Sequence, residues 1–270
     1  MRCEAQPRSE ARRTDVYVER APEAATKQIA KRESPKVKGK SIVGMNLIET
    51  IDLKKTYSTG KNIETPALRG ISLSIADKDF VVLAGPSGSG KSTLLHLMGA
   101  LDTATQGAIL FEGRDITNID IHKLTTLRLH KIGFVFQAYN LISTLTALEN
   151  VEYTMLLQGI NRRTRRKKSI DTLQRVGLDD LIHRFPQEMS GGQQQRVAVA
   201  RAIAAEPRVV MADEPTANLD SKTAESLLEL MQELNMEKGI TFIFSTHDPM
   251  IMNKAKRLIH LKDGKITPAA

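Results

Sequence analysis

The stretch GPSGSGKST at residues 85–93 constrains this chain more than any other part of its sequence. Gly85, Gly90, Lys91 and Ser92 match the G-x-x-x-x-G-K-[ST] loop that binds phosphate groups. Lys91 is expected to neutralise the β- and γ-phosphates of a nucleotide, and Ser92 to offer its hydroxyl to Mg²⁺. The loop therefore predicts a nucleoside triphosphate site with a bound Mg²⁺.

The residues on either side of the loop have the pattern that such a site needs. FVVLA at 80–84 is a short apolar run typical of a buried parallel strand, and TLLHLM at 93–98 is predicted to continue into a helix. Glycines at positions 85, 88 and 90 permit positive φ, which brings backbone N–H groups close to phosphate oxygens. The helix points the positive end of its dipole at the same anion.

Composition narrows the class of protein further. The chain has 270 residues, of which 41% are hydrophobic and 26% charged, as is ordinary for a globular protein. No apolar run approaches the roughly 18 residues needed to cross a bilayer, and the amino terminus has no apolar signal segment. We therefore expect a cytoplasmic protein. Cys3 is the only cysteine, which excludes an internal disulfide and a cysteine-rich zinc site.

The positive charge is concentrated at the amino terminus. The chain has a formal net charge of +8, and residues 1–44 hold eleven Lys or Arg against six Asp or Glu. Residues 45–270 are thus nearly balanced, so no direct contact with nucleic acid is expected. The composition of 1–44 predicts a disordered extension. We hypothesise that it is dispensable and that Met45 is the true translation start; a basic arm for anionic lipid or nucleic acid is the alternative.

Apolar segments and helical patterns alternate along the rest of the chain. NLIETIDLKKTY is predicted to be an edge strand with Leu47, Ile51 and Leu53 on one face. Further strands are predicted at 80–84, 107–115, 132–136, 209–213, 241–245 and 257–261, and helices at 146–160, 164–178 and 221–239. The alternation indicates an α/β fold whose largely parallel sheet is covered on both faces.

Two acids follow the strand VVMAD. At the carboxyl end of a core strand Asp213 can hold Mg²⁺ through water, and Glu214 can polarise a water molecule for attack on the γ-phosphate. Alone the pair is a weak signal, because strands often end in acids. After a phosphate loop, and before PTANLD, it favours triphosphate hydrolysis.

MSGGQQQR at 189–196 predicts a second anion-binding helix terminus. Ser190 and Gln193 have capping-box spacing, and the glycines between them leave the amino end of the helix open. An ordinary helix cap is the alternative interpretation. Since the phosphate loop already ends at one such helix, we interpret the second as part of a site completed by another copy of the chain.

Together these motifs resemble the ATP-binding cassette (ABC) family over essentially all of 45–270. GPSGSGKS corresponds to Walker A and VVMADE to Walker B; the others are Gln137 in the Q-loop, the signature SGGQ at 190–193, ANLD at 217–220 as the D-loop, and His247 in the H-loop. Tyr57 stands where the family stacks an aromatic ring on adenine. Met189 and Ala217 depart from the commoner Leu and Gly, and neither removes a polar group.

The resemblance implies a P-loop NTPase of ABC type, with a largely parallel core sheet, an antiparallel β subdomain and an inserted helical subdomain at about 138–200. It implies a head-to-tail dimer that encloses two ATP molecules with Mg²⁺. The expected nucleotide contacts are Tyr57, Gly85, Pro86, Ser87, Gly88, Ser89, Gly90, Lys91, Ser92, Thr93, Ser190, Gly191, Gly192, Gln193 and Asp220. The expected catalytic residues are Lys91, Gln137, Glu214 and His247, and the expected metal ligands Ser92, Gln137 and Asp213.

Within the family, LLQGI, the Arg-rich run that follows it and SGGQQQRVAVARA resemble the ATPases of the macrolide-export and lipoprotein-release group. Such a protein would sit on the inner face of the cell membrane and drive a separate permease chain. A cell-division ATPase of related type is an alternative. A soluble ABC ATPase acting on nucleic acid or ribosomes is another, although the chain has neither a second cassette nor zinc-binding cysteines. The five remaining histidines, His96, His122, His130, His183 and His260, are interpreted as ordinary surface residues.

Overall fold

The computed structural model describes residues 46–59 and 63–267, which form two β-sheets and seven α-helices. The extension predicted at 1–44 and the start hypothesised at Met45 lie outside the described residues.

The larger sheet has six strands in the order β10-β9-β3-β8-β7-β6. Its strands are β3 Phe80–Ala84, β6 Ile132–Val135, β7 Val209–Asp213, β8 Thr241–Thr246, β9 Arg257–Lys262 and β10 Lys265–Thr267. All neighbouring pairs are parallel except β9 and β10. The α/β fold with a largely parallel core sheet is therefore confirmed.

The smaller sheet is antiparallel, with the strand order β2-β1-β4-β5. Its strands are β1 Asn46–Thr59, β2 Ile63–Ala76, β4 Gln106–Phe111 and β5 Arg114–Asp115. The prediction that β1 is an edge strand is wrong, because β1 pairs with β2 on one side and β4 on the other. The predicted apolar face is also interrupted: Leu47 and Leu53 are buried, but Ile51 is 52% exposed. Asp52 has a φ of 42° and both pairings shift register beside it, so the strand turns Ile51 outward.

Helices follow most strands of the larger sheet. They are α1 Lys91–Met98, α2 Thr125–Lys131, α3 Ala147–Leu157, α4 Arg162–Arg175, α5 Gly191–Ala204, α6 Ser221–Lys238 and α7 Pro249–Asn253. Two short 3₁₀ helices, Asp179–Leu181 and Pro186–Glu188, lie between α4 and α5. The limits of the helical subdomain, about 138–200, stay a prediction.

Local signals explain where these helices begin and end. Thr146 caps α3 in a capping box with Glu149, which closes two of the free N–H groups of the first turn. Gly239 ends α6 in the left-handed conformation, as its position after an amphipathic run predicts. The buried face of α6 contains the predicted residues Ala224, Leu227, Leu228, Met231 and Leu234.

The core lies on both faces of the six-stranded sheet. Side chains alternate along β3, so that Val81 and Leu83 pack into one apolar cluster while Phe80 and Val82 pack into the other. The rings of Phe80 and Phe244 lie 4.7 Å apart between centroids. Because both faces of the sheet are buried, the packed strands fix where the loops at their carboxyl ends begin. No helix among the described residues is long and apolar enough to cross a membrane.

Candidate functional site

The predicted motifs meet at one edge of the six-stranded sheet. The phosphate loop follows β3, Gln137 follows β6, Glu214 follows β7 and His247 follows β8. These strands are neighbours in the sheet and run parallel, so their carboxyl ends meet at a common edge. Open α/β sheets bind their ligands at this edge.

The phosphate loop has the conformation that its glycines predict. Gly85 and Gly90 have φ values of 154° and 100°. A side chain at Gly85 would place its Cβ 2.1 Å from the carbonyl oxygen of Leu261, so only glycine fits this close approach. The Ser89 hydroxyl is buried and has no hydrogen-bond partner among the described residues. An unpaired polar atom inside this loop fits an oxygen-rich ligand such as a triphosphate.

Lys91 is the buried cation of the loop. Lys91 is the first residue of α1, and only 5% of its surface is exposed to solvent. The Nζ atom donates to the carbonyl oxygens of Gly85 and Pro86, at 2.8 and 3.0 Å. The ammonium group thus lies inside the loop, where the phosphates of a nucleotide are expected.

The residues predicted to hold Mg²⁺ form an oxygen-rich cluster between α1 and β7. Ser92 Oγ donates to Asp213 Oδ1 at 2.8 Å, and the hydroxyl of Ser245 donates to the same oxygen. Hydroxyl and carboxylate oxygens fit Mg²⁺, which takes its remaining ligands from phosphate and water. Among the described residues no group of three or more His, Cys, Asp or Glu side chains could hold a metal.

Glu214 and His247 form a direct pair beside this cluster. His247 Nδ1 lies 3.0 Å from Glu214 Oε1. The backbone N–H of Glu214 donates to Ser245, which leaves the side chain pointing toward the end of β8. Glu214 also has a φ of 45°, an uncommon conformation that costs free energy and often marks a functional position. The arrangement suits a carboxylate that accepts a proton from water while a histidine orients it.

Gln137 is exposed, and its backbone is tied to the D-loop. Asn218 Nδ2 donates to the Gln137 carbonyl oxygen at 3.1 Å. Two and three residues further on, Tyr139 and Asn140 both have positive φ, and their carbonyl oxygens accept hydrogen bonds from Arg201 on α5. Burial lowers the pKa of this guanidinium group. The Q-loop is thus anchored to the D-loop on one side and to the signature helix on the other.

The signature forms the predicted capping box at the start of α5. Gln193 N–H donates to Ser190 Oγ at 3.3 Å, and Ser190 N–H donates to Gln193 Oε1 at 2.9 Å. No hydrogen bond among the described residues joins 190–193 to the phosphate loop of the same chain. Asp220 caps α6, accepting from the Thr223 hydroxyl at 2.6 Å, and this bond lowers the Asp220 pKa. Its expected role between subunits stays a prediction.

Tyr57, the predicted adenine-stacking residue, belongs to a cluster that the sequence did not indicate. Its hydroxyl donates to Asp102 Oδ2 at 2.9 Å, and Lys55 Nζ lies 4.8 Å from the ring centroid. Lys55 also bonds Asp102 Oδ1 at 2.7 Å. Burial raises the pKa of Tyr57, against a hydrogen bond from Thr93 at the start of α1. Burial alone would raise the pKa of Asp102, but bonds from Lys55, Thr103 and Tyr57 hold it below its usual value.

Four residues around the site were missed from the sequence. Lys55 and Asp102 are 47 residues apart in different elements, and no local pattern relates them. Ser245 sits inside an apolar strand, where a lone serine carries no signal. His96, interpreted as an ordinary surface histidine, has its Nε2 3.8 Å from Asp213 Oδ2. Its spacing of four residues from Ser92 puts both on one face of α1, a signal that could have found it.

Comparison with known proteins identifies the family. A family model described as "ABC transporter" matches residues 68–217. This chain belongs to the ABC transporter family. An uncharacterized ABC transporter ATP-binding protein of Thermotoga maritima is 44% identical over 82% of this chain and 93% of its own length. The lipoprotein-releasing system ATP-binding protein LolD 1 of Rhodopseudomonas palustris is 47% identical over 79% of this chain and 95% of its own.

Longer relatives and solved structures agree with this assignment. The macrolide export ATP-binding/permease protein MacB of Syntrophobacter fumaroxidans is 45% identical over 83% of this chain, which spans only 32% of that protein. The dimeric cassette MJ0796 is 42% identical, covers 81% of this chain and superposes with a TM-score of 0.76. A further structure of MJ0796, in a post-hydrolysis state with ADP and Pi, also has a TM-score of 0.76. This ABC cassette is thus an ATPase that binds ATP.

Proposed function

We propose that this ABC protein is the ATP-hydrolysing subunit of a transporter and drives a separate membrane permease in export or in extraction from the cell envelope. The relatives named for lipoprotein release and macrolide export support this type of partner. The chain would act as a dimer on the inner face of the cell membrane. The geometry of the site and of one neighbouring groove supports each part of the proposal.

The site supports hydrolysis by positioned water. The backbone N–H groups of the phosphate loop and Lys91 bind the triphosphate, and Tyr57 stacks on adenine. Glu214 takes the proton of the attacking water, held in place by its hydrogen bond with His247. Ser92 and Asp213, with Gln137, would hold Mg²⁺, which supplies charge neutralisation at the β- and γ-phosphates.

The need for a second copy follows from the position of the signature. The amino end of α5 is capped by Ser190 and Gln193, which use the N–H of Gln193 and leave the N–H groups of Gly191 and Gly192 as donors for an anion. In the part of the chain that the structure describes, these donors make no bond to the phosphate loop. A head-to-tail dimer supplies each loop with the signature of the partner copy, so that ATP is enclosed from both sides. The dimeric MJ0796 cassettes support this arrangement.

One observation supports the proposed permease partner most directly: an apolar groove opens beside the Q-loop. The groove has a volume of about 450 Å³ and lies between α2, α3, α5 and β6, with Phe136 next to Gln137 on its wall. Tyr153 and Leu157 on α3 line it and are 39% and 57% exposed. Exposed apolar side chains lining a hollow mark a protein interface. A permease segment seated there would reach the backbone that carries Gln137.

The test replaces Leu157 by Glu in the full chain and compares it with Met236→Glu. Met236 lies on α6, is 66% exposed and does not line the groove. Each tagged variant is purified from native membranes, and the integral membrane proteins that accompany it are identified. We expect the amount of membrane protein recovered with Leu157→Glu to fall at least about ten-fold, because burying an unpaired carboxylate in an apolar contact is costly. Met236→Glu should retain it, and the basal ATPase activity of both should stay at the wild-type level.

The identity of the accompanying protein distinguishes the alternatives. A permease with a large domain outside the membrane would support export or extraction, and a component of the division apparatus would support the cell-division type instead. Equal recovery of the same membrane protein with both variants would contradict docking in the groove. Recovery of ribosomal proteins or nucleic acid in place of a membrane protein would contradict the transporter assignment.

A further inference from the structure

The turn that joins α3 to α4 has an unusual surface. Leu156, at the end of α3, is 48% exposed and stands next to Leu157 of the groove. The next helix then begins with Arg162 and Arg163 and continues with Arg166 and Lys167. Positions 162, 163, 166 and 167 lie on adjoining parts of one helix surface, because residues three and four apart are neighbours. We call Leu156, Arg162, Arg163, Arg166 and Lys167 the basic hairpin surface.

Most of this positive charge is not used inside the protein. Arg165 bonds Glu152 at 3.4 Å, and Arg166 lies 3.8 Å from the same acid. Arg162, Arg163 and Lys167 are exposed and form no ion pair with any residue that the structure describes. Three of the four cations therefore have no ion pair among the described residues, and Asp171 is the acid that lines the same hollow with them, so positive charge predominates there.

We propose that the basic hairpin surface binds the anionic headgroups of phospholipids at the inner face of the membrane. Lys and Arg close to such a leaflet are attracted by its negative potential, and an apolar side chain among them can enter the headgroup layer. The surface contains no aromatic ring on which a base could stack, which argues against single-stranded nucleic acid as the ligand.

The position of the surface supports a bilayer rather than a soluble anion. Leu156 and Leu157 are successive residues at the end of α3, so the turn that leads to the basic hairpin surface follows directly on the helix that lines the groove. The inference rests on the proposed function in this respect: a cassette docked through that groove holds the α3–α4 turn next to the membrane. Lipid contact would then strengthen the attachment of the cassette to the membrane-bound permease and orient the cassette beneath the permease.

The test measures binding of the full chain to vesicles that contain no permease. Vesicles of phosphatidylglycerol with phosphatidylcholine are compared with vesicles of phosphatidylcholine alone, by sedimentation at low and at high salt. The variant R162Q/R163Q/K167Q should bind the anionic vesicles about five-fold less for each charge removed, or about a hundred-fold less in all. High salt should weaken wild-type binding as well, because it screens the headgroup charge.

A matched variant controls for net charge. K78Q/R114Q/K238Q also removes three exposed cations, none of which is ion-paired among the described residues, and it leaves α4 intact. This variant should bind anionic vesicles within about two-fold of wild type, since the attraction acts only within a Debye length of the surface. Both variants keep residues 1–44, so the basic extension contributes equally to each. L156Q should weaken binding about five-fold without changing its salt dependence.

Several outcomes would overturn the inference. Equal losses in the two charge variants would show an unspecific charge effect, and unchanged binding of R162Q/R163Q/K167Q would exclude α4 as the lipid contact. Vesicle binding unaffected by the α4 variant, combined with loss of the permease on purification, would assign the surface to an acidic protein segment. Because the vesicles lack a permease, loss of binding in the α4 variant would stand even if the groove experiment with Leu157 failed.

Discussion

At the residue scale, two charged neighbours contact the ring of Tyr57 and its hydroxyl. Asp102 accepts from its hydroxyl, while the ammonium group of Lys55 lies over the ring and bonds the same carboxylate. A cation over one ring face leaves the opposite face for a nucleobase. The cluster therefore fixes the plane on which adenine is expected to stack, so Lys55 and Asp102 act as positioning residues.

Replacing Asp102 by Asn tests this role. The amide cannot hold both partners as the carboxylate does, so Tyr57 and Lys55 lose their fixed arrangement. We expect the affinity for ATP to fall about two- to five-fold, in line with a cation–π contact worth about 0.5–1 kcal/mol. Affinity for tripolyphosphate, which has no base, should be unchanged. The two dissociation constants are measured by calorimetry on the same preparation.

Asp171→Asn, on the exposed side of α4, is the matched control and should change neither constant. Equal loss of ATP and tripolyphosphate affinity in Asp102→Asn would mean that the loop itself is disturbed, and the positioning role would be rejected.

The lowered pKa of Asp102 also sets a pH window. Because the pKa of Asp102 is lower in the folded protein, its contribution to stability is fully present at pH values above its ordinary pKa of 3.8. The contribution is lost as the pH falls through the lowered pKa of the folded state. Wild-type ATP affinity should therefore not vary through this cluster at neutral pH.

At the scale of elements, α5 connects two parts of the site, the signature and the Q-loop. Its amino end carries the signature, and Arg201 near its carboxyl end donates to the carbonyl oxygens of Tyr139 and Asn140. Both of these residues have positive φ, so the Q-loop keeps an uncommon backbone conformation that α5 supports. A shift of α5 would thus move Gln137 as well.

Arg201→Met tests this connection while keeping a side chain of similar length. Hydrogen bonds from a charged group are lost and two carbonyl groups are left without their donor, so we expect the free energy of unfolding to fall by about 2–3 kcal/mol. Stimulation of the ATPase by the permease should fall more than the basal rate, because the Q-loop is no longer held. Urea unfolding and ATPase assays with reconstituted permease measure the two effects.

Arg175→Met is the control, because Arg175 forms an exposed ion pair with Glu237 at 3.0 Å. Exposed pairs of this kind contribute little, so the change should be within about 0.5 kcal/mol. If Arg201→Met were as stable and as well coupled as this control, the support of the Q-loop by α5 would be disproved.

Elements were predictable where the signal is local. The buried strands, the capping box of α5 and the end of α6 at Gly239 follow from short-range patterns, and the structure has them where expected. β1 was misjudged, because its bulge at Asp52 and its place between two partners depend on the rest of the antiparallel sheet.

The same contrast holds within the site. Residues that belong to a continuous motif, such as 85–93, were predicted from the order of residue types alone. Lys55 and Asp102 were not, because they meet only after β1 has packed beside the segment that follows α1. Ser245 is likewise recognisable only once β8 is placed next to β7. Contacts between distant elements leave no periodic trace in a single sequence.

At the scale of the whole molecule, the proposed dimer divides each ATP site between two chains. In that proposal the phosphate loop with Lys91 would provide one half of a site, and the signature at 190–193 of the partner copy would provide the other. If hydrolysis needs both halves on one nucleotide, a monomer binds ATP without turning it over. Activity then depends on the fraction of chains that are dimeric, which mass action makes dependent on protein concentration.

We therefore expect the ATPase rate per subunit to rise with protein concentration until dimers predominate, and then to become constant. Glu214→Gln should retain ATP binding but lower turnover about 10²- to 10⁴-fold, as expected for loss of a general base. Because ATP is not consumed, this variant should accumulate as a dimer in ATP and return to monomer when ATP is removed. Analytical ultracentrifugation follows the mass, and phosphate release follows turnover.

Glu233→Gln, on the exposed side of α6, should match wild type in both measurements. A rate per subunit that stays constant throughout the concentration range in which dimers dissociate would place a complete site in one chain. Undiminished turnover in Glu214→Gln would instead contradict the role of Glu214 as the general base, without contradicting the dimeric site. The two results are separable because the first concerns which chains form the site, whereas the second concerns which group within it takes the proton.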